Sequence, residues 1–203
     1  MMHHFFAYLS RLKFIRRWGL MRSTQPENDA EHSLQVAMIA HGIAVIARDR
    51  YGKTVEPEHV LALAVYHDAT EVITGDLPTP VKYHSPELRT SYKQLEGLAS
   101  RRLIAMLPQA MQPAFEPYLT EGEDYAHQLV KAADRVSAYI KCVEEKRSGN
   151  HEFDAAGENV LRSIRQIDLP EVRDFMEEFV PSYALTLDEL NSLAPEQKHG
   201  PTG

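Results

Sequence analysis

Residues 57–75 read PEHVLALAVYHDATEVITG, and this stretch decides the fold class. Pro57 followed by Glu58 is a helix start, because proline lacks only an amide that the first turn leaves unbonded anyway. Val60, Leu61, Ala64, Val65 and Val72 then recur at helical spacing, and Gly75 supplies the stop, so the pattern predicts one amphipathic helix. The same period extends in both directions. Phe5 and Phe6 precede Leu9, Leu12 and Ile15. Leu34, Ala37, Met38, Ile43, Ala44 and Ala47 form a second helix, and Asn28 with Glu31 marks its N-cap. Further helices are expected over Pro86–Met106, Tyr125–Lys146, Asn159–Ile167 and Pro170–Val180. No run alternates with period two, and no repeat is found, so the expectation is an all-α, single-domain helical bundle over residues 1–190. The polar, Pro- and Gly-containing residues 191–203 are expected to form a flexible C-terminal tail.

Composition limits the function classes. A chain of 203 residues suits one domain. Lys and Arg total 22 against 29 Asp and Glu, a net charge of −7, which argues against a nucleic-acid polymer or an anionic membrane as partner. The N-terminal apolar stretch is broken by Arg11, Lys13, Arg16 and Arg17, unlike a signal peptide. Val36–Ala47 is too short an apolar run to span a bilayer. A single Cys fits a reducing compartment, and the expected location is the cytoplasm. Ten His residues stand out, since imidazole is the commonest metal ligand.

Several motifs fail on inspection. Gly52-Lys53-Thr54 lacks the upstream glycine of a P-loop, where Ala47 stands. His151-Glu152 lacks the second His of a zinc-protease motif, since residue 155 is Ala. One Cys excludes a Cys₄ zinc site.

What remains is a set of polar residues inside apolar helices. His32 falls in the first turn of the second helix, His67-Asp68 lie in the 57–75 helix, and Asp134 interrupts the Leu129–Val143 pattern. Two imidazoles and two carboxylates from three helices can hold one divalent ion, and mixed N/O ligation suits Mn, Co, Ni, Zn or Fe. Glu71 follows His67 by four residues and Asp68 by three, which puts it on their helix face. The bland alternative for Asp134 is an ordinary ion pair with Lys131 or Arg135.

The order His32 … His67-Asp68 … Asp134 resembles the metal motif of the HD-domain phosphohydrolases. The match to the bacterial 5′-deoxynucleotidases within that superfamily is closer, and it runs from about Phe5 to Leu190. It is carried by FFAYLSRLK (5–13), Arg17-Trp18, EHSLQVAM (31–38), YHDATEV (66–72), TGDLPTPVKY (74–83) and AYIKCVEE (138–145). The resemblance implies removal of the 5′-phosphate from deoxyribonucleoside monophosphates by a homodimer. It implies one divalent ion per subunit, Co²⁺ foremost, with Mn²⁺, Zn²⁺, Ni²⁺ or Cu²⁺ as alternatives. By position it implies metal ligation by His32, His67, Asp68 and Asp134. Substrate contacts are implied for Arg17, Trp18, Asp68, Asp76, Leu77, Pro78 and Thr79, and catalytic roles for Glu71, Asp76 and Arg17.

Such roles are chemically intelligible. The ion activates water and Glu71 orients that water or accepts its proton. Asp76 either donates to the leaving 5′ oxygen or, as a carboxylate, holds the sugar. An ion with two Asp ligands carries no net charge, so a further cation must attract the phosphate, and Arg17 offers a bidentate fork. Trp18, whose ordinary role would be a core anchor, is placed to wall the sugar pocket where a ribose 2′-hydroxyl would sit. Other readings are an HD phosphohydrolase for a nucleoside triphosphate or guanosine alarmone, or a nucleotide sensor without catalysis. Of the remaining His residues, His41 is expected to be buried with a hydrogen bond.

Overall fold

The computed structural model describes residues 2–78, 81 and 84–192. In chain order the α-helices are α1 (Phe5–Leu9), α2 (Asp29–Tyr51), α3 (Pro57–Tyr66), α4 (Glu71–Thr74) and α5 (Pro86–Ile104). They continue as α6 (Gln112–Leu119), α7 (Tyr125–Arg147), α8 (Asp154–Arg165), α9 (Pro170–Glu178) and α10 (Leu187–Ser192). Among the described residues there is no strand, only an isolated antiparallel bridge between Arg16 and Asn28.

Helix ends follow the expected local chemistry. The Asn28 side chain accepts from the Ala30 and Glu31 amides, satisfying two otherwise unbonded donors at the start of α2. Gly52 ends that helix at φ 62°, in the left-handed region. Pro57 opens α3, and Asp124 caps α7 by accepting from His127 N.

The main core lies where α2 meets α3, α7 and α9. Val36, Ala40, Ile43 and Ala44 of α2 are buried against Val60 and Ala64 of α3 and Leu129, Ala133, Val136 and Ile140 of α7. Each large aliphatic side chain buried there stabilises the fold by ~1.5–3 kcal/mol. By length and hydropathy α2 is long and apolar enough to cross a membrane, but 56% of its most apolar window is buried inside the fold. A second cluster joins Phe5, Ala69, Leu103, Leu107 and Leu119. Ala64 belongs to the first cluster and Ala69 to the second, so His67-Asp68 lies on the seam between them.

Four expectations need correction. The 57–75 stretch is not one helix. His67–Thr70 form turns in which Ala69 N bonds Tyr66 O (3.0 Å) and Glu71 N bonds Asp68 O (2.9 Å), three residues back rather than four. The carbonyl that would continue the ladder, Ala64 O, is taken by the His67 side chain at 2.7 Å. Second, α8 starts at Asp154 rather than Asn159. Gly157 sits inside it because a Cβ there would meet Cys142 Cβ at 3.2 Å, so the glycine admits close packing on α7. Third, α6 was masked in sequence by Pro113 and Pro117, one of which lies in its first turn and the other in its interior. Fourth, α10 lay within the sequence expected to be domain but showed no apolar period, and its last residues, Asn191 and Ser192, fall in the expected tail. Residues 193–203 lie outside the described residues.

The loop between Trp18 and α2 is tied down by one buried carboxylate. Glu145 of α7 is 1% exposed and accepts from Thr24 N (2.8 Å), Thr24 Oγ1 (2.6 Å), Gln25 N (3.2 Å) and Asn150 Nδ2 (2.8 Å). Its ionic partner is Lys141, which is 5% exposed. Burial works to raise the Glu145 pKa, but Lys141 and these donors hold it well below the usual carboxylate range. The stabilisation is therefore fully present above the unfolded-state pKa of about 4.3 and is lost as pH falls below it. Glu145→Gln leaves the Lys141 ammonium buried without its counter-charge and should lower unfolding free energy in urea at neutral pH by roughly 3 kcal/mol. The same titration at acid pH should show a shallower loss of stability for the variant than for the parent chain.

Candidate active site

The antiparallel bridge brings residues 15–18 beside the entry to α2. Arg17 N donates to Glu27 O (3.0 Å) and Asp29 N to Ile15 O (3.1 Å). The α3–α4 turn presents His67, Asp68 and Glu71 to the same spot, and α7 contributes Asp134.

The imidazoles are oriented by what holds their outer nitrogens. His67 Nδ1 donates to Ala64 O at 2.7 Å, which leaves a lone pair on Nε2. That Nε2 is buried without a hydrogen bond, 3.1 Å from Asp68 Oδ2. His32 Nδ1 is 3.2 Å from Glu27 Oε1, and its Nε2 is 3.0 Å from Asp134 Oδ1 and 3.7 Å from Asp68 Oδ2. Lone pairs facing carboxylate oxygens at such distances require a proton or a metal ion between them. Ligand atoms of His32, His67 and Asp68 all lie within 4.8 Å of one another. Asp134 joins them through His32, so the donor set fits a divalent ion held by two nitrogens and two carboxylates. Its side chain is 40% exposed, which keeps the site open on one side.

Arg17 is the cation of the site. Its guanidinium lies 3.1 Å from Asp68, 3.8 Å from Asp29, 3.9 Å from Asp134 and 4.0 Å from Glu27. Burial opposes its charge, but these carboxylates keep it protonated, with a pKa above the ordinary arginine value. Burial likewise opposes charge on His32, yet the Asp134 and Glu27 carboxylates push its pKa up to about 9. Asp68 is held well below the carboxylate range, against burial, by His67 and Arg17. Glu71 moves the other way, raised by burial and by Asp68 and Asp29 beside it. The Asp29 carboxyl, fully buried, is raised by burial too.

A cavity of about 540 Å³ adjoins this cluster, lined by His67, Asp68 and Asp134 and, further out, by Thr70, Lys93 and Lys131. Asp76 lies near enough to raise the pKa of Glu71. Leu77 and Pro78 are half-buried in the same connection, while Thr79 lies outside the described residues. Trp18 is half-buried, with its ring edge-on to Phe153 at 5.2 Å and its indole N–H on Glu27 Oε2 at 3.0 Å.

Residues 4–183 match the family model described as 5′-deoxynucleotidase YfbR-like. The chain belongs to this family. It is 47% identical over 190 residues to a 5′-deoxynucleotidase of Vibrio parahaemolyticus, covering 93% of this chain and 98% of that protein. To a 5′-deoxynucleotidase of Cronobacter sakazakii it is 49% identical over 194 residues, 95% of this chain and 98% of the relative. Its fold is similar to that of an HD-domain phosphohydrolase from Listeria innocua, with TM-score 0.77 and 27% identity over 89% of this chain and 88% of that one.

The structure brings His32, His67, Asp68 and Asp134 together, with Arg17 and Glu71 beside them. Asp134 does not pair with its sequence neighbours. Lys131 Nζ reaches Gly122 O at 3.4 Å, and Arg135 is exposed. His41 is half-buried and its side chain makes no hydrogen bond among the described residues, contrary to expectation, because its side of α2 is not fully covered. Two site residues escaped sequence reading, Glu27 and Asp29. Asp29 precedes His32 by three residues, which places both on one face of α2, and that spacing was the available signal. Glu27 precedes the cap and carries no periodic signal.

Co²⁺ added to metal-free protein at about a hundred times its dissociation constant should stabilise the fold by roughly 2.7 kcal/mol, seen as a rise in Tm that Asp134→Ala removes. Ligation by His32 would require loss of a proton held to about pH 9, so on that reading Co²⁺ affinity measured by calorimetry should climb with pH between about 6 and 8. A pH-independent affinity would exclude His32 from the site.

Proposed function

We propose that this chain hydrolyses deoxyribonucleoside 5′-monophosphates to deoxyribonucleoside and phosphate, using one divalent ion held by His32, His67, Asp68 and Asp134. One observation supports it most: two imidazole Nε2 atoms and two carboxylates face one another beside half-buried Arg17 and Glu71, in a chain of the 5′-deoxynucleotidase family. When bound, the ion supplies Lewis acidity and lowers the pKa of water. Glu71 orients the attacking water or accepts its proton, and a carboxyl with raised proton affinity suits that task. Once Asp68 and Asp134 serve as ligands, Arg17 is released from two of its four carboxylate neighbours and its fork turns to the phosphate. Asp76 either protonates the leaving 5′ oxygen or holds the sugar, with Leu77 and Pro78 in the same connection; a substrate contact by Thr79 rests on the family resemblance. Trp18 limits the space at the 2′ position. Co²⁺ as the ion, a homodimer and a cytoplasmic location are part of the same proposal and rest on the family resemblance.

Phosphate release from a panel of deoxyribo- and ribonucleoside mono- and triphosphates, with and without Co²⁺, tests the reading. Release from the deoxyribonucleoside monophosphates alone, dependent on the ion, is expected; pyrophosphate or triphosphate release would point to another HD phosphohydrolase, and binding without release to a sensor. Arg17→Lys keeps the charge but loses the fork, and turnover should fall by well over about tenfold. Trp18→Ala should narrow the preference for deoxyribose over ribose, and unchanged discrimination would remove Trp18 from the sugar pocket.

A further inference from the structure

Glu27 stands between two functional side chains and touches both. Its Oε1 lies 3.2 Å from His32 Nδ1, and its Oε2 accepts the Trp18 indole N–H at 3.0 Å. The backbone keeps it there, since Arg17 N donates to Glu27 O at 3.0 Å and Arg16 is bridged to Asn28. Trp18 has φ 57°, the only non-glycine residue with a positive φ among those described. A bulky residue in that region is strained by about 1–3 kcal/mol and stays there only if its surroundings hold it. Phe153 packs against the ring and Glu27 holds the indole nitrogen.

We infer that Glu27 is a positioning residue for both ends of the site: one carboxylate oxygen sets the tautomer of His32 and the other fixes the Trp18 ring. The chemistry follows from donor and acceptor types. A carboxylate only accepts, so in the neutral ring it draws the one remaining His32 proton to Nδ1 and leaves the lone pair on Nε2, which faces Asp134 and Asp68. The other neighbour of His32 Nδ1, Ser137 Oγ at 3.3 Å, gives its hydrogen to Gln35 Oε1 at 2.7 Å and so also presents lone pairs. Trp18 Nε1–H can only donate. The inference rests on the proposed role of His32 as a metal ligand.

This arrangement makes Glu27→Gln a more harmful change than its shape suggests. An amide has one oxygen and one NH₂ group, and Trp18 claims the oxygen. The NH₂ then faces His32 Nδ1, which must become an acceptor, and the ring proton moves to Nε2 where it blocks ligation. Co²⁺ affinity of Glu27→Gln, by calorimetry on metal-free protein, should fall about ten- to hundredfold. Trp18→Phe alone removes the competing donor and should change Co²⁺ affinity less than about threefold. In the double variant Glu27→Gln/Trp18→Phe the amide can turn its oxygen to His32, and affinity should return to within about threefold of Trp18→Phe. Glu27→Ala leaves Nδ1–H to Ser137 and should bind Co²⁺ more tightly than Glu27→Gln. An unaffected Glu27→Gln, a double variant no better than it, or Glu27→Ala binding more weakly would each overturn the inference. Should Glu27→Gln fail to fold, Glu27→Ala and the double variant carry the test, and loss of Co²⁺ binding by either overturns it. His32→Ala separates the two readings: unchanged Co²⁺ binding by that variant defeats the metal site itself, whereas lost binding there with intact binding in Glu27→Gln defeats only the role of Glu27.

Discussion

Four carboxylates, those of Glu27, Asp29, Asp68 and Asp134, lie within 4.0 Å of the single guanidinium of Arg17. Packed this closely in a partly buried space, four negative charges repel one another far more than one cation can offset. Positive charge must be added, as protons on the imidazoles or as a metal ion. The surplus of acid is therefore the physical basis of the site, and the rest of the fold can be understood as what holds it in place. The α2–α3–α7 core fixes three of the contributing segments. The Arg16–Asn28 bridge and the Glu145 network anchor the loop that carries Trp18 and Glu27.

The surplus is also directed. Each imidazole has its outer nitrogen occupied by an acceptor, Ala64 O for His67 and Glu27 for His32, so both inner nitrogens face the same space and offer it lone pairs once the rings are neutral. The break in helical hydrogen bonding at His67–Thr70 is the local cost of this arrangement, because His67 takes the carbonyl that would otherwise extend α3. Deep burial on the inner side and the partial exposure of Asp134 on the outer side leave one direction open, toward the cavity. A small anionic substrate can enter there, while the chain's net charge of −7 disfavours a polymeric one.

Much of this was legible in the sequence because it depends on local chemistry. The Asn28 cap, Pro57 at the start of α3, Gly75 at a helix end and the apolar period of α2 and α7 act over a few residues, and each appears where its residue type predicts. The four ligand candidates were legible for a different reason: an imidazole or carboxylate in an apolar helical pattern is costly without a partner. The sequence alone determined the all-α class, the family resemblance and the identity of His32, His67, Asp68 and Asp134 as candidates. Only the tertiary structure decided that Asp134 faces His32 rather than Lys131 or Arg135, that His67-Asp68 occupy a turn, and that Glu27 and Asp29 belong to the site. Those outcomes depend on which groups from distant segments share one small, poorly solvated volume, and a Coulomb interaction across 3–4 Å of space leaves no mark on the spacing of residues along the chain.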